Sequence, residues 1–183
     1  MKIAITGMSG SGKSTLSRRL SELYQIPVLH LDSVHHTAGW NERDPEEEKN
    51  IVRQFLNSHN DWVIDGNYRR LDYERRMSEA DLILQMRMNR FLRLFRVWKR
   101  YRTYRGTTRP DMADNCPEKL DRDFAIWVLW KGCGSKAIQL LNSVSAKYPG
   151  KTVILNSQRK TELFFQREQE KLASRSTCPH KGG

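Results

Sequence analysis

Cysteine is nearly missing from this sequence. Only Cys116, Cys133 and Cys178 occur, an odd number with no C-x-x-C pair. Such spacing builds neither a disulfide framework nor a zinc site, and three free thiols are expected. Long apolar runs are missing too, and nothing approaches the ~18 residues of a membrane span. The chain starts on a strand-like segment with no apolar signal region, so a cytoplasmic location is expected. No repeat is present, and no helix-turn-helix, zinc-finger or base-reading pattern. A last shortage is local. From Arg87 to Arg109 there is no Asp or Glu but nine basic residues, a local charge of +9 in a chain whose net charge is +11. Such a concentration calls for a polyanionic partner, either a phosphorylated small molecule or nucleic acid.

What the sequence does contain, close to its start, is Gly7-Met8-Ser9-Gly10-Ser11-Gly12-Lys13-Ser14-Thr15. It satisfies the phosphate-loop pattern G-x-x-x-x-G-K-[ST] in the context that pattern requires. Before it, Lys2-Ile3-Ala4-Ile5-Thr6 reads as a buried strand. After it, Leu16, Leu20 and Leu23 recur at helical spacing. A triphosphate is a dense anion, best held by backbone N–H groups already oriented toward it. Glycines let the loop curl into such a nest, and the following helix aims its free N–H groups and positive dipole end at the same point. Gly7, Ser9, Gly10, Ser11, Gly12, Lys13, Ser14 and Thr15 are therefore the expected nucleotide-binding residues. Lys13 would reach the β- and γ-phosphates of ATP, and the Ser14 hydroxyl would ligate Mg²⁺.

Further along, Ile26-Pro27-Val28-Leu29-His30-Leu31-Asp32 reads as a second strand ended by Asp32, with His35, His36, Gly39 and Trp40 in a loop beyond it. Asp44-Pro45-Glu46-Glu47-Glu48 opens a helix, with Asp as N-cap and Pro in the first turn. Trp62-Val63-Ile64-Asp65 is a third strand, Asp81 to Met86 a fourth and Thr152-Val153-Ile154-Leu155 the last. From Asn89, residues Phe91, Leu94, Phe95, Trp98 and Tyr101 fall on one helical face, and Arg93, Arg96 and Arg100 on another. Strands alternating with helices imply an α/β fold, a parallel sheet covered on both faces. Ligands in such sheets sit at the carboxyl ends of strands.

Two carboxylates stand at those ends. Asp65 could hold a water of the Mg²⁺ bound at Ser14 or orient an acceptor, and Asp32 could take a proton from a substrate hydroxyl; for both, helix capping is the bland alternative. His30, His35 and His36 beside Asp32 do not have a recognisable metal-ligand spacing, and hydrogen bonding is their expected role. Trp40 could stack on a substrate or anchor its loop. The arginine segment has three readings: a mobile lid over the phosphates, a nucleic-acid surface, or a solvated helix face with snorkelling side chains.

With the phosphate loop, Asp32, Asp65-Gly66 and the arginine segment together, the chain resembles the small P-loop kinases of the nucleoside monophosphate kinase and shikimate kinase type. Several stretches also resemble the bacterial DNA topology modulation protein (FlaR-related) family: Met1 to Thr15, Pro27 to Asp32, Trp62 to Tyr68, Tyr101 to Leu120 and Asn156-Ser157-Gln158. The resemblance implies an adenylate-kinase-like P-loop NTPase fold, with five parallel strands in the order 2-3-1-4-5, ATP at the loop and an Arg-rich helical lid at about residues 89–134. One domain over residues 1–172 and a polar tail over 173–183 are expected. It also carries an association with DNA topology and no assigned substrate. Asn67-Tyr68 stand where adenylate kinases have an apolar residue and Pro, so an AMP pocket is not carried over.

Two functions follow as expectations. One is an ATP- and Mg²⁺-dependent kinase for a small-molecule acceptor, with Lys13, Asp32, Asp65 and lid arginines such as Arg90, Arg93 and Arg109 as catalytic residues. The other is an ATP-binding regulator that docks on DNA through Arg87–Arg109.

Overall fold

The computed structural model describes residues 1–109, 111–113, 115–117, 120–130, 132 and 134–176. Cys133 and Cys178, expected as free thiols, and residues 177–183 of the expected tail lie outside the described residues. Cys116 is a buried free thiol whose Sγ donates to the Thr37 carbonyl.

Strand β1 (Lys2–Gly7) leads through the glycine loop into α1 (Lys13–Tyr24). Next come β2 (Val28–His30), α2 (Leu31–His35), and a short hairpin of β3 (His36–Thr37) and β4 (Asn41–Glu42). Helix α3 (Pro45–Ser58), β5 (Trp62–Asp65), α4 (Tyr73–Glu79) and β6 (Leu82–Met86) complete the first half. The second half holds α5 (Arg90–Thr103), α6 (Arg122–Leu129), α7 (Ser135–Lys147), β7 (Thr152–Leu155) and α8 (Gln158–Ser176). Among the described residues, no helix is long and apolar enough to cross a membrane.

Five strands pair in parallel in the order β2-β5-β1-β6-β7. The expected order 2-3-1-4-5 differs from this count because β3 and β4, read as loop from the sequence, pair antiparallel in a separate two-stranded sheet. The second strand is also shorter than expected. It ends at His30, and Asp32 lies in the first turn of α2 instead of closing the strand.

Alternation along each strand builds the core on both faces. Ala4, Ile64 and Ile83 join Leu31, Val52, Leu56, Trp62, Leu71, Met77 and Val144 on one side. Ile3, Ile5, Val63, Leu84 and Met86 join Leu16, Leu20, Leu155 and Phe165 on the other. Helix α3 starts as its sequence demands, the Asp44 carboxylate accepting from the N–H groups of Glu46 and Glu47 at 2.9 and 3.1 Å.

Helix α5 offers two faces, and one of them packs. Its aromatic face is turned out, with Phe91 69 % and Phe95 56 % exposed, while Arg93 is only 2 % exposed. The arginine face is the one that packs inward.

Candidate functional site

The glycine loop has the backbone its residues permit. Gly10 and Gly12 sit at φ of 72° and 97°, in the left-handed region where a side chain costs energy. The Ser11 N–H returns to the Met8 carbonyl at 3.2 Å, and Lys13 folds back so that Nζ donates to the same carbonyl at 3.3 Å. Ser14 and Thr15 open the first turn of α1. The Ser11 hydroxyl is buried beneath the loop with no hydrogen-bond partner among the described residues.

Helix α5 lies directly on this loop. A Cβ at Gly10 would stand 2.7 Å from the Arg93 carbonyl and 2.9 Å from the Val97 side chain. Arg93 Nη1 donates to the Ser9 carbonyl at 3.4 Å, and Arg96 Nη1 to the Ser11 carbonyl at 2.7 Å. Arg96 also donates to Gln158 at the start of α8. These guanidinium groups engage loop carbonyls, the groups that face away from the N–H-lined side of an anion nest. Burial lowers the Arg96 pKa below its usual value.

On the other side the loop is held by the segment after β5. Asn67 Oδ1 accepts from the Gly7 N–H at 3.0 Å, and its Nδ2 donates to the Gly7 carbonyl at 2.8 Å. Tyr68 donates its hydroxyl to Asp32 Oδ1 at 2.9 Å. Burial, and then the Asp32 carboxylate, push the Tyr68 phenol well above its usual pKa, so it remains a donor. Arg76, fully buried, orders this segment by donating to the carbonyls of Gly66, Tyr68 and Leu71.

Asp65 is 2 % exposed, accepting from the Ser17 hydroxyl at 2.7 Å and contacting His30 Nδ1 at 3.0 Å. Burial opposes a charge on His30, but the Asp65 hydrogen bond and carboxylate outweigh it and raise the His30 pKa. His35 meets the fully buried Glu48 at 2.6 Å, where Arg70 also binds through Nε and Nη2 at 2.9 and 3.0 Å.

Two cavities open at this edge of the sheet. One, of about 400 Å³, lies over the loop and the start of α1, with Gly12, Ser14, Arg96, Arg100 and Asp111 in its walls. The other, of about 910 Å³, is more apolar, with Met8, Trp40, Tyr68, Met112, Phe124 and Trp127 around it. Ser9, Lys13, Asp32, Arg100 and Arg109 line both. They mark the seam.

The expected site residues are thus partly assembled. Gly10, Gly12, Ser14 and Thr15 line the smaller cavity, Gly7 the larger, and Ser9, Lys13, Asp32 and Arg109 both, with Ser11 buried below. Asp65 and Arg93 line neither; one is tied to Ser17 and His30 and the other supports the loop. Arg90 is exposed on α5 and lines neither. Asp111 was given no role from sequence, and here it pairs with Arg109 at 3.1 Å, 6 % exposed, and lines the smaller cavity with Ser14. Its position two residues after Arg109, at the first acid after the arginine segment, was the available signal. Burial opposes its charge, but Arg109, then Ser14, outweigh it and hold the carboxyl below its usual pKa.

The residues present fit a magnesium–nucleotide. The glycine cradle, the buried unpartnered Ser11 hydroxyl and the Ser14 hydroxyl beside carboxylates are the donor set it requires. Among the described residues no three His, Cys, Asp or Glu side chains could hold an ion together. A Mg²⁺ ion here must share its shell with phosphate oxygens and water, as that ion usually does.

The family described as AAA domain matches residues 3–104. The chain is similar in structure to shikimate kinase from Acinetobacter baumannii in complex with shikimate, with a TM-score of 0.57 and 14 % identity over 97 % of this chain and 95 % of that one. It is also similar to a candidate kinase from Chloroflexus aurantiacus, with a TM-score of 0.53 and 14 % identity over 92 % and 97 %. At such identities the likeness shows a P-loop kinase fold. No curated protein matches the chain, and the topology modulation family is not among the matches described.

Proposed function

Because the chain belongs to the AAA domain family, we propose that it is a Mg²⁺-dependent kinase that transfers the terminal phosphoryl group of ATP to a hydroxyl of a small molecule. One observation carries this reading. Two cavities meet at a seam lined by a lysine, two arginines and a carboxylate, with Gly10, Gly12, Ser14 and Thr15 of the phosphate loop on one side only. A phosphoryl donor and an acceptor need such a boundary, held at fixed distance and shielded from water.

At the seam, Lys13, Arg100 and Arg109 supply positive charge where the transferring group carries its negative charge. Asp32, oriented by Tyr68, is placed to accept the proton of an acceptor hydroxyl. A carboxylate there also disfavours a phosphate as acceptor, since two anions would face each other. Trp40, Phe124, Trp127 and Met112 give the larger cavity walls suited to a planar or apolar body. Mg²⁺, held through Ser14, would neutralise the β- and γ-phosphates. Helix α5 and the segment beyond it would act as the lid.

Docking on DNA draws on fewer arginines than the sequence offers. Arg93 and Arg96 bond the loop, Arg100 and Arg109 line the cavities, and Arg87 bonds Gln85, Asn142 and Ser145. The deciding experiment is a screen of hydroxyl-bearing metabolites with Mg·ATP, read by ADP release, with Lys13→Ala as control. Acceptor-dependent ADP release lost in the variant is expected. Duplex binding that falls steeply with salt, with no ADP release for any acceptor, would overturn the kinase reading in favour of the DNA one.

A further inference from the structure

We infer that Asp111 is a carboxylate ligand of the Mg²⁺ ion that accompanies ATP, standing beside the Ser14 hydroxyl; this rests on the kinase reading above. Three observations converge on it. The first is placement: Asp111 lines the smaller cavity with Lys13, Ser14 and Thr15. Its carboxylate and the Ser14 hydroxyl would offer one ion oxygens from the same cavity.

The second is charge. Asp111 is 6 % exposed inside a cavity built to hold a triphosphate, and a buried carboxylate facing phosphates is repelled unless a cation lies between. Arg109 neutralises it now, at 3.1 Å. An ion that takes over the carboxylate frees that guanidinium for the seam, where Arg109 already lines both cavities. Metal binding and the positioning of Arg109 are thereby linked.

The third is elimination among nearby acids. Asp65 is held by Ser17 and His30 and lines neither cavity. Asp32 stands at the seam and is held by Tyr68. Glu162 pairs with Arg19 at 2.9 Å. Asp111 lines the smaller cavity and not the larger one, on the side of the loop where Ser14 opens α1.

The test is calorimetric titration of ATP into the native chain and Asp111→Asn, each in Mg²⁺ and in EDTA. Asparagine keeps the shape but removes the charge. Mg²⁺ is expected to tighten ATP binding to the native chain, and the variant to lose about 10- to 100-fold of that gain while binding in EDTA at least as tightly as the native chain does. A variant that keeps the full Mg²⁺ gain overturns the assignment. So does one that binds more tightly in both conditions, the mark of a carboxylate that merely blocks the phosphates. A second measurement needs no variant. Fe²⁺ substituted for Mg²⁺, with ATP and ascorbate, should cleave the native backbone beside both Ser14 and Asp111; cleavage at Ser14 alone overturns the inference. A native chain that binds no ATP in either condition sinks the kinase reading itself, and this assignment with it.

Discussion

Asn67 grips Gly7 by both of its backbone groups, accepting from the N–H at 3.0 Å and donating to the carbonyl at 2.8 Å. The first residue of the phosphate loop is thereby tied to the segment that carries Tyr68 and, through it, Asp32. Asn67→Asp keeps the acceptor, removes the donor and adds a charge next to the loop. A loss of about 1–2 kcal/mol is expected, seen as a lower urea midpoint with an unchanged slope. ATP binding should weaken in parallel.

Gly10 is where the loop and α5 touch. Alanine there is strained by a φ of 72° and would meet the Arg93 carbonyl at 2.7 Å. Gly10→Ala should cost about 2–4 kcal/mol, combining the left-handed strain with overpacking. Gly106 offers the control. It has a φ of 75° but nothing within 4 Å of an added Cβ, so Gly106→Ala should cost only about 1–2 kcal/mol. Equal losses in thermal or urea unfolding would mean that the close approach of α5 has no energetic weight.

His30 sets a pH dependence. Its pKa is raised above 6.5 in the folded chain, through Asp65 and against burial. A raised folded pKa gives stability that is fully present below 6.5 and lost as pH rises through the folded value. NMR titration should find the His30 imidazole above 6.5, and Asp65→Asn should bring it down and flatten this part of the stability profile. An imidazole that titrates at or below the ordinary value in the native chain would contradict the geometry.

Once an acceptor is in hand, Lys13→Ala should lower kcat by about 10²–10³-fold, the usual loss for one preorganised charge at a transferring group. Tyr68→Phe removes one hydrogen bond to Asp32 and should lower kcat by about 10-fold, the rate equivalent of a charge-assisted bond. Unchanged kcat in Tyr68→Phe would show that Asp32 needs no orientation.

Much of this site could be read before any fold was known. Gly10 and Gly12 in left-handed backbone, Lys13 and Ser14 opening a helix, and Asp44 capping another are consequences of near neighbours in sequence, where backbone sterics and local hydrogen bonds dominate. The apolar runs that became β1, β5, β6 and β7 were equally plain, because continuous apolar segments bounded by turn residues suit a sheet covered on both faces.

Other features were decided only when distant segments met. Helix α5 carries an aromatic face and an arginine face, and periodicity cannot say which one packs. The carbonyls of Ser9 and Ser11 decided it, drawing Arg93 and Arg96 inward and leaving Phe91 and Phe95 in solvent. That contact also accounts for arginines beyond what phosphoryl transfer needs. Asp65, expected at a strand end, is bonded by Ser17 and His30, and Asp111 is brought by folding to the cavity that Ser14 lines. The sequence alone determined where a phosphate could be held, since that needs only nine consecutive residues and their backbone angles. Which carboxylates and arginines surround that loop was decided by tertiary structure, because charge acts through space between groups far apart in the chain.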